Sequence, residues 1–470
     1  MKLSVAKFGG GLLDREGRTI PLILKRIKDL RKSDGFGPIA IFSAPQGYTD
    51  ELIRVGESRA QSRDDVSIDP LFENYEKIAR RHVKAAHQER VLSELQRYRS
   101  RTEEALGLVD RRFSGSVRAR VLTNGGELPT SVLIGHILES EGLDSCHVSE
   151  EYWPVVTDDD FENATPILEE GRKRVKFLTE PLEEGKTVSM AGFLGVTTDG
   201  LETVLGRGGS DLTAVFVSSL LKTRYDVETL LFKEVSVQSA DPKIVNGQTT
   251  EHIASLTYNE AHKASMMGMK IVQNTAIRAA RNTQQTLRIV PIGNPGEYTL
   301  IQPGTPTGQT VKCVTGKTGC AILSTHDQNS RSLEDSLRIW EGVDDFLELG
   351  TETLETGERI RDLLFMDTDF LRRNEERLRG FDEGLSIEYG VGVVTLIGDG
   401  MKDSPGIASA ALAAIPDVNV KRAVFAPHTS LIILAVDERN VKAAVAAIHR
   451  RRQDMNHPTR KREQPSMPSP

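Results

Sequence analysis

"VLGRGGSDLTAV" runs from Val204 to Val215. A short apolar run ends in Gly-Arg-Gly-Gly-Ser-Asp and passes into the apolar helical pattern "LTAVFVSSLL". A strand, a glycine turn and a helix start make an anion site, because free N–H groups and the helix dipole face the turn. Arg207 beside the glycine pair suits a bidentate grip on a carboxylate or phosphate. Ser210 has the side chain of a good N-cap and is expected to cap the helix. Asp211, on the first turn, gains from the dipole whatever else it does. The stretch is not a dinucleotide fingerprint, since Asp211 stands where the third glycine is required.

Working outward, other strand candidates end in turn residues. "LSVAKF" (Leu3–Phe8) runs into Gly9, Gly10 and Gly11, "GPIAIFSA" (Gly37–Ala44) into "PQG", and "TVSMAGFLG" and "VETLLFKEV" behave alike. Helical patterns lie between them, as in "IPLILKRIKDLRK" and "LPTSVLIGHILES". This alternation predicts an α/β fold with a largely parallel sheet. Ligands of such folds sit at the carboxyl ends of strands. Gly9–Gly11, Ser43, Gly195 and Glu234 are therefore expected at one crevice. Lys7 would bring a mobile positive charge to a glycine turn that lets backbone N–H groups approach phosphate. No Walker A loop is present: Gly316-Lys317-Thr318 has Val311 where the upstream glycine belongs.

After about Val311 the texture changes. "VKCVTGKTGCAILST" reads as two strands around a Gly-Lys-Thr-Gly turn, and "SLEDSLRIWEGVDDFLEL" reads as a helix. Two small units of strands and helices follow one another, which puts a domain boundary near Gly304–Thr310. The polar, Pro-rich stretch after Arg452 is expected to be a disordered tail.

The 470 residues leave room for two to four domains. A net charge of −7 argues against nucleic acid as the main partner. No run approaches the roughly 18 apolar residues of a membrane span. Three cysteines, Cys146, Cys313 and Cys320, fit a reducing compartment and lack zinc-site spacing, so no metal site is assigned. The expected location is the cytoplasm.

Six pieces in order carry a resemblance: "VAKFGG", "IFSAPQGYTDEL", "TNGGELPTSVL", "GFLGVTTDGLETVLGRGGSDLTA", "SADPKIV" and "GMKIVQNTAI". Over about the first 300 residues the chain resembles the aspartate kinases of the amino acid kinase superfamily. "GDGMKDSPGIASAALAAI" (Gly398–Ile415) resembles part of their paired ACT domains. The resemblance implies a three-layer α/β/α, carbamate kinase-like domain over 1–304. ACT-like α+β domains over 311–385 and 386–452 and a tail over 453–470 would follow. It implies transfer of the γ-phosphoryl of ATP, with Mg2+, to the side-chain carboxylate of L-aspartate. This is the first step towards lysine, threonine and methionine.

The resemblance also implies residue roles. Lys7 and Asp211 would be catalytic. Thr49, Glu127, Arg207 and Ser210 would form the aspartate site, with Arg207 on the α-carboxylate and Glu127 near the α-amine. ATP would be held by Lys7, Phe8, Gly9, Gly10, Ser43, Lys233, Glu234, Asp241, Lys243 and Lys270. An amino-acid effector at the ACT pair and a homodimer or higher homo-oligomer are further implications.

Several positions depart from the pattern. Gly11 replaces a common Thr, "FKEVSVQSADP" is one residue short, Lys243 replaces Arg, and "QNTA" follows Lys270 in place of "HP". Two alternatives are a paralogue acting on another carboxylate and a catalytically weak ACT-based regulator. The joint presence of Lys7, Arg207 and Asp211 favours a working kinase.

Overall fold

The computed structural model describes residues 1–63, 66–245, 248–269, 271–304, 309–339, 346–366, 368–426 and 430–456. The chain divides into two compact units, Met1–Val237 with Val272–Pro303, and Gln238–Ile271 with Gly304–Pro470.

The first unit opens with β1 (Lys2–Phe8), α1 (Ile20–Asp34), β2 (Ile39–Phe42) and α2 (Tyr48–Ala60). The long polar stretch that follows folds into α3 (Asp69–His82), α4 (Ala85–Gly107) and α5 (Gly115–Gly125). Then come α6 (Glu127–Ser140), β3 (Ser145–His147), α7 (Leu168–Arg174), α8 (Lys176–Glu183) and β4 (Thr187–Ala191). The hairpin β5 (Leu194–Val196) and β6 (Glu202–Val204) leads into α9 (Gly209–Leu221) and β7 (Asp226–Lys233).

The second unit contributes β8 (Ser255–Thr257) and α10 (Tyr258–Met266) before the chain re-enters the first with α11 (Asn274–Asn282), β9 (Leu287–Pro291) and β10 (Thr299–Gln302). The rest belongs to the second unit: β11 (Cys313–His326), α12 (Asp327–Ile339), β12 (Phe346–Thr353), β13 (Arg359–Phe365) and α13 (Thr368–Arg379). These are followed by β14 (Ser386–Ile397), α14 (Ile407–Ala413), β15 (Val420–Ala426), β16 (Leu431–Asp437), α15 (Val441–Arg450) and α16 (Arg452–Asn456).

In the first unit the strand order is β3-β4-β2-β1-β7-β9-β10, parallel except for the β9–β10 pair. A parallel sheet is covered on both faces, which explains why β1 is buried at every position after Lys2. The helices complete the expected three-layer α/β/α arrangement. Helix α6 packs on β4 and α9 on β7 and β1. Both are buried nearly all round, so their sequences show no polar stripe. Helix α3, at the surface, keeps the amphipathic spacing, burying Leu71, Phe72, Tyr75, Ile78 and Ala79.

The second unit holds one antiparallel sheet in the order β12-β13-β11-β14-β16-β15. A β-α-β-β-α unit occurs twice, and the first strands of the two copies, β11 and β14, lie side by side. This is the expected pair of ACT-like units, joined as one sheet over two apolar clusters.

Four local expectations are corrected. Gly316–Gly319 is not a turn between strands. Strand β11 runs through it, with a register shift between Lys317 and Cys320 that takes up the extra residues. Of the helix expected through Leu349, residues 340–345 lie outside the described residues, and Phe346 onward is strand β12, paired with β13, not helix. Packing places Gln238–Ile271 in the second unit, where the sequence reading kept it within 1–304. Charge pairing explains this: Lys312 Nζ lies 2.8 Å from Glu260 Oε2 with both side chains buried, and Arg452 reaches Glu251 Oε2 at 2.9 Å. The same arginine anchors the start of the expected tail. Residues 453–456 are helical, and Asn456 Oδ1 accepts from the Val311 N–H at 2.7 Å. The remainder of the tail lies outside the described residues.

Candidate active site

Strand β1 delivers Lys7 to the carboxyl edge of the sheet. The Phe8 ring is fully buried, stacked between Phe42 and Phe232 with centroids 5.4 and 4.8 Å away. Three aromatic side chains on neighbouring strands thus lock the ends of β2, β1 and β7 together. The Phe8 ring is committed to that stack, which leaves its backbone to serve the site.

Of the next residues, Gly10 has no room for a side chain, while Gly9 and Gly11 face side-chain ends. A Cβ at Gly10 would lie 2.6 Å from the Ala44 carbonyl oxygen, and one at Gly9 3.4 Å from Lys7 Nζ. A Cβ at Gly11 would lie 2.1 Å from Glu234 Oε1. The departure at Gly11 is therefore coupled to the glutamate at the end of β7. Ser43 follows β2, and its N–H donates to the Phe8 carbonyl at 3.2 Å.

The charged centre is buried. Lys7 Nζ lies 2.7 Å from Asp211 Oδ1, and Lys233 Nζ lies 3.5 Å from Asp211 Oδ2. Burial lowers the Lys7 ammonium from its ordinary range, against the pull of Asp211. Burial also opposes ionisation of Asp211, but Lys233 and Lys7 outweigh it and hold the carboxyl at about 2. One carboxylate therefore orients two ammonium groups, and the three groups together carry one net positive charge. That suits a developing phosphoryl anion. Sequence reading put Lys233 with the nucleotide. The structure adds its ion pair with Asp211.

The "GRGGSD" turn corrects the capping expectation. Gly208, not Ser210, is the N-cap of α9, with φ +71° and ψ 15°, and no side chain caps the helix. A left-handed N-cap cannot be filled by a serine hydroxyl two residues further in. Ser210 instead packs against Gly192, where a Cβ would come 2.5 Å from its own Cβ. Gln273 closes over the turn: a Cβ at Gly208 would lie 1.6 Å from Gln273 Cγ. Nothing in the spacing of the sequence revealed Gln273, because it comes from a segment about 60 residues away. Arg207 is exposed and makes no ion pair among the described residues, leaving its guanidinium available.

Glu127 begins α6 immediately after a break at Gly126, whose φ is −116° and ψ −90°. Cβ atoms at Gly125 and Gly126 would come 2.6 Å from Leu52 and 2.8 Å from the Leu122 carbonyl oxygen, so both must be glycine. Tyr75 Oη donates to the Gly126 carbonyl at 2.7 Å and fixes the break. Glu127 Oε1 accepts from the Ala44 N–H at 3.2 Å. Burial pushes its carboxyl up to about 8, with the Ala44 hydrogen bond and Lys7 pulling the other way. It is thus a buried acid beside the cationic centre and not an ordinary first-turn carboxylate. Thr49 lies on the first turn of α2, half-buried.

One expected residue is not brought to this cluster. Gly195 lies in the β5–β6 hairpin against Thr157 and Thr203. Asp241 and Lys243 belong to the second unit, where Asp241 Oδ1 accepts from the Lys243 N–H at 2.8 Å. Lys270 lies outside the described residues.

A sequence profile described as the amino acid kinase family matches residues 2–291. The chain is 26% identical to an aspartokinase of Helicobacter pylori over 69% of its own length and 81% of the relative's. It is 26% identical to an aspartokinase of Mycolicibacterium smegmatis over 96% of both. Its fold superposes on the crystal structure of E. coli aspartokinase III in complex with aspartate and ADP with a TM-score of 0.76. That match has 18% identity and covers 96% of this chain and 99% of the other. With the motif order, the parallel sheet and a family match over more than half its length, this chain belongs to the amino acid kinase family.

Proposed function

We propose that this chain is an aspartate kinase, transferring the γ-phosphoryl group of ATP to the side-chain carboxylate of L-aspartate. The observation that carries the reading is the buried Lys7–Asp211–Lys233 cluster at the ends of β1 and β7, with Glu127 beside it. The aspartate carboxylate is ionised at neutral pH, so no strong general base is needed. Its oxygen forms the new bond to the γ-phosphorus while the bond to ADP breaks, and an acyl phosphate results. The barrier is anion meeting anion, which cationic positioning lowers.

In this reading Lys7 tracks the transferring phosphoryl and Asp211 holds Lys7 and Lys233 in place. Gly9 and Gly10 let the backbone approach the phosphates, and Ser43 and Glu234 border the same turn. Arg207 takes the α-carboxylate of the substrate, Glu127 its α-ammonium, and Thr49 and Ser210 line the site. Asp241, Lys243 and Lys270 are proposed nucleotide contacts.

Mg2+ would come with the nucleotide. Among the described residues no group of three or more His, Cys, Asp or Glu forms a metal cage, and Asp211 is committed to two lysines. A phosphate-borne Mg2+ needs few protein ligands and would neutralise phosphate charge.

The ACT-like pair is proposed to bind an amino-acid effector and to join chains into a homo-oligomer. Titration with lysine, threonine and methionine tests the first, and a flat response to all three refutes it. Sedimentation tests the second, and a monomer at assay concentration refutes it. No helix among the described residues is long and apolar enough to cross a membrane. The acceptor is tested by initial rates with L-aspartate, L-glutamate, succinate and carbamate. L-Aspartate should dominate, and a faster acceptor lacking an α-amine would overturn the reading.

A further inference from the structure

The first unit holds a buried carboxylate that the chemistry above does not use. Glu202, on β6, is only 9% exposed. Its Oε2 accepts from Thr123 Oγ1 at 2.6 Å and from Asn124 Nδ2 at 2.8 Å. Its Oε1 accepts from Arg101 Nη2 at 2.9 Å, and Arg101 also pairs with Glu150. The orientation of the Asn124 amide is fixed, because its nitrogen also donates to the Arg120 carbonyl at 2.8 Å. Nothing in the motifs marks Glu202. It lies inside "DGLETVLGRGG" as an unremarkable strand acid.

Its position in the chain gives it a role. Thr123 and Asn124 form the last turn of α5, directly before the Gly125-Gly126 break that aims Glu127. Glu202 starts β6, which ends at Val204, and the chain continues through Leu205 and Gly206 to Arg207. One carboxylate therefore joins the two backbone arms that end in the candidate aspartate-binding residues.

We propose that Glu202 is a positioning residue that sets the spacing between Glu127 and Arg207, and so governs affinity for the amino-acid substrate and not for the nucleotide. This rests on the reading of Glu127 and Arg207 given above. Two donors on one oxygen and a guanidinium on the other fit a carboxylate and no neutral isostere. In Glu202→Gln an amide N–H must face either the Asn124 amide hydrogens or Arg101, and one contact is lost.

The test uses the full chain. Glu202→Gln should raise KM for L-aspartate about tenfold or more with KM for ATP within about twofold. Asn124→Ala should do the same, and the double variant should be no worse than Glu202→Gln alone, because both act through one contact. Thr123→Val, a milder change, should move aspartate KM in the same direction. Amide hydrogen exchange gives a readout independent of turnover: Glu202→Gln should loosen both 123–130 and 203–210. The inference is overturned if the two KM values rise together, if the single effects add, or if only one segment loosens. If the parent chain does not phosphorylate aspartate but both segments loosen together, the coupling stands and the substrate assignment falls.

Discussion

Glu127 should impose a pH dependence on aspartate use that the substrate itself cannot supply. Burial pushes its carboxyl up to about 8, and in the proposed role only its carboxylate form holds the α-ammonium of the substrate. A site whose competent form is partly populated loses apparent affinity in proportion to that fraction. About one tenth of the molecules would be competent at pH 7 and about half at pH 8. At saturating ATP, kcat/KM for L-aspartate should rise about fivefold between pH 7 and 8, and about fiftyfold between pH 6 and 8. The α-ammonium stays protonated over this range, so it adds no opposing limb.

Stability should move the other way. A carboxyl raised on folding ionises first in the unfolded chain, so its contribution is complete below the unfolded value near 4.5 and is lost as pH rises through about 8. Glu127→Gln removes both trends: the rate profile flattens and the fall in melting temperature between pH 5 and 8 shrinks. Initial rates across pH 6–8.5 and thermal melts across pH 5–8.5 measure them. A parent profile that is flat in this window, or a rise that survives in Glu127→Gln, refutes the reasoning.

Arg207→Ala should leave the melting temperature within about 1 °C, since the side chain is exposed, and raise aspartate KM by a factor matching about 2–4 kcal/mol. Lys7→Met should lower kcat about 100-fold or more and also destabilise the fold, because Asp211 keeps only its 3.5 Å contact with Lys233; steady-state kinetics and denaturant melts read both effects. Gly208→Ala should cost about 1–2 kcal/mol from its left-handed backbone alone, plus the displacement of Gln273. Adding Gln273→Ala should recover only the steric part, as chemical denaturation would show. Gly11→Ala should leave stability nearly unchanged while raising KM for ATP, because the atom it meets is the tip of the exposed Glu234.

Much of the catalytic half was legible because strand-ending glycines announce themselves. The turn at Gly9–Gly11 lies at the carboxyl end of a parallel strand, and the turn at Gly206–Gly209 joins the β5–β6 hairpin to α9. Lys7 and Asp211 were legible as separate parts, but their 2.7 Å pairing belongs to the folded chain. Ser210 misled because serine is an excellent cap in isolation, and only the positive φ of Gly208 removes it from that role. The β11 bulge misled for the same reason: Gly-Lys-Thr-Gly has turn composition, yet pairing with β14 on either side of the bulge carries the strand through it. Glu202, Gln273 and Tyr75 were silent because each acts on a partner more than 50 residues away, and no local pattern records such contacts.

The central claim is phosphoryl transfer to the side-chain carboxylate of aspartate, and trapping the acyl phosphate with hydroxylamine tests it most directly. The purified chain with ATP and L-aspartate should yield one β-hydroxamate of aspartate per ADP formed, and Lys7→Met should form neither. ADP release without hydroxamate, or hydroxamate at the α-carboxyl, would contradict it.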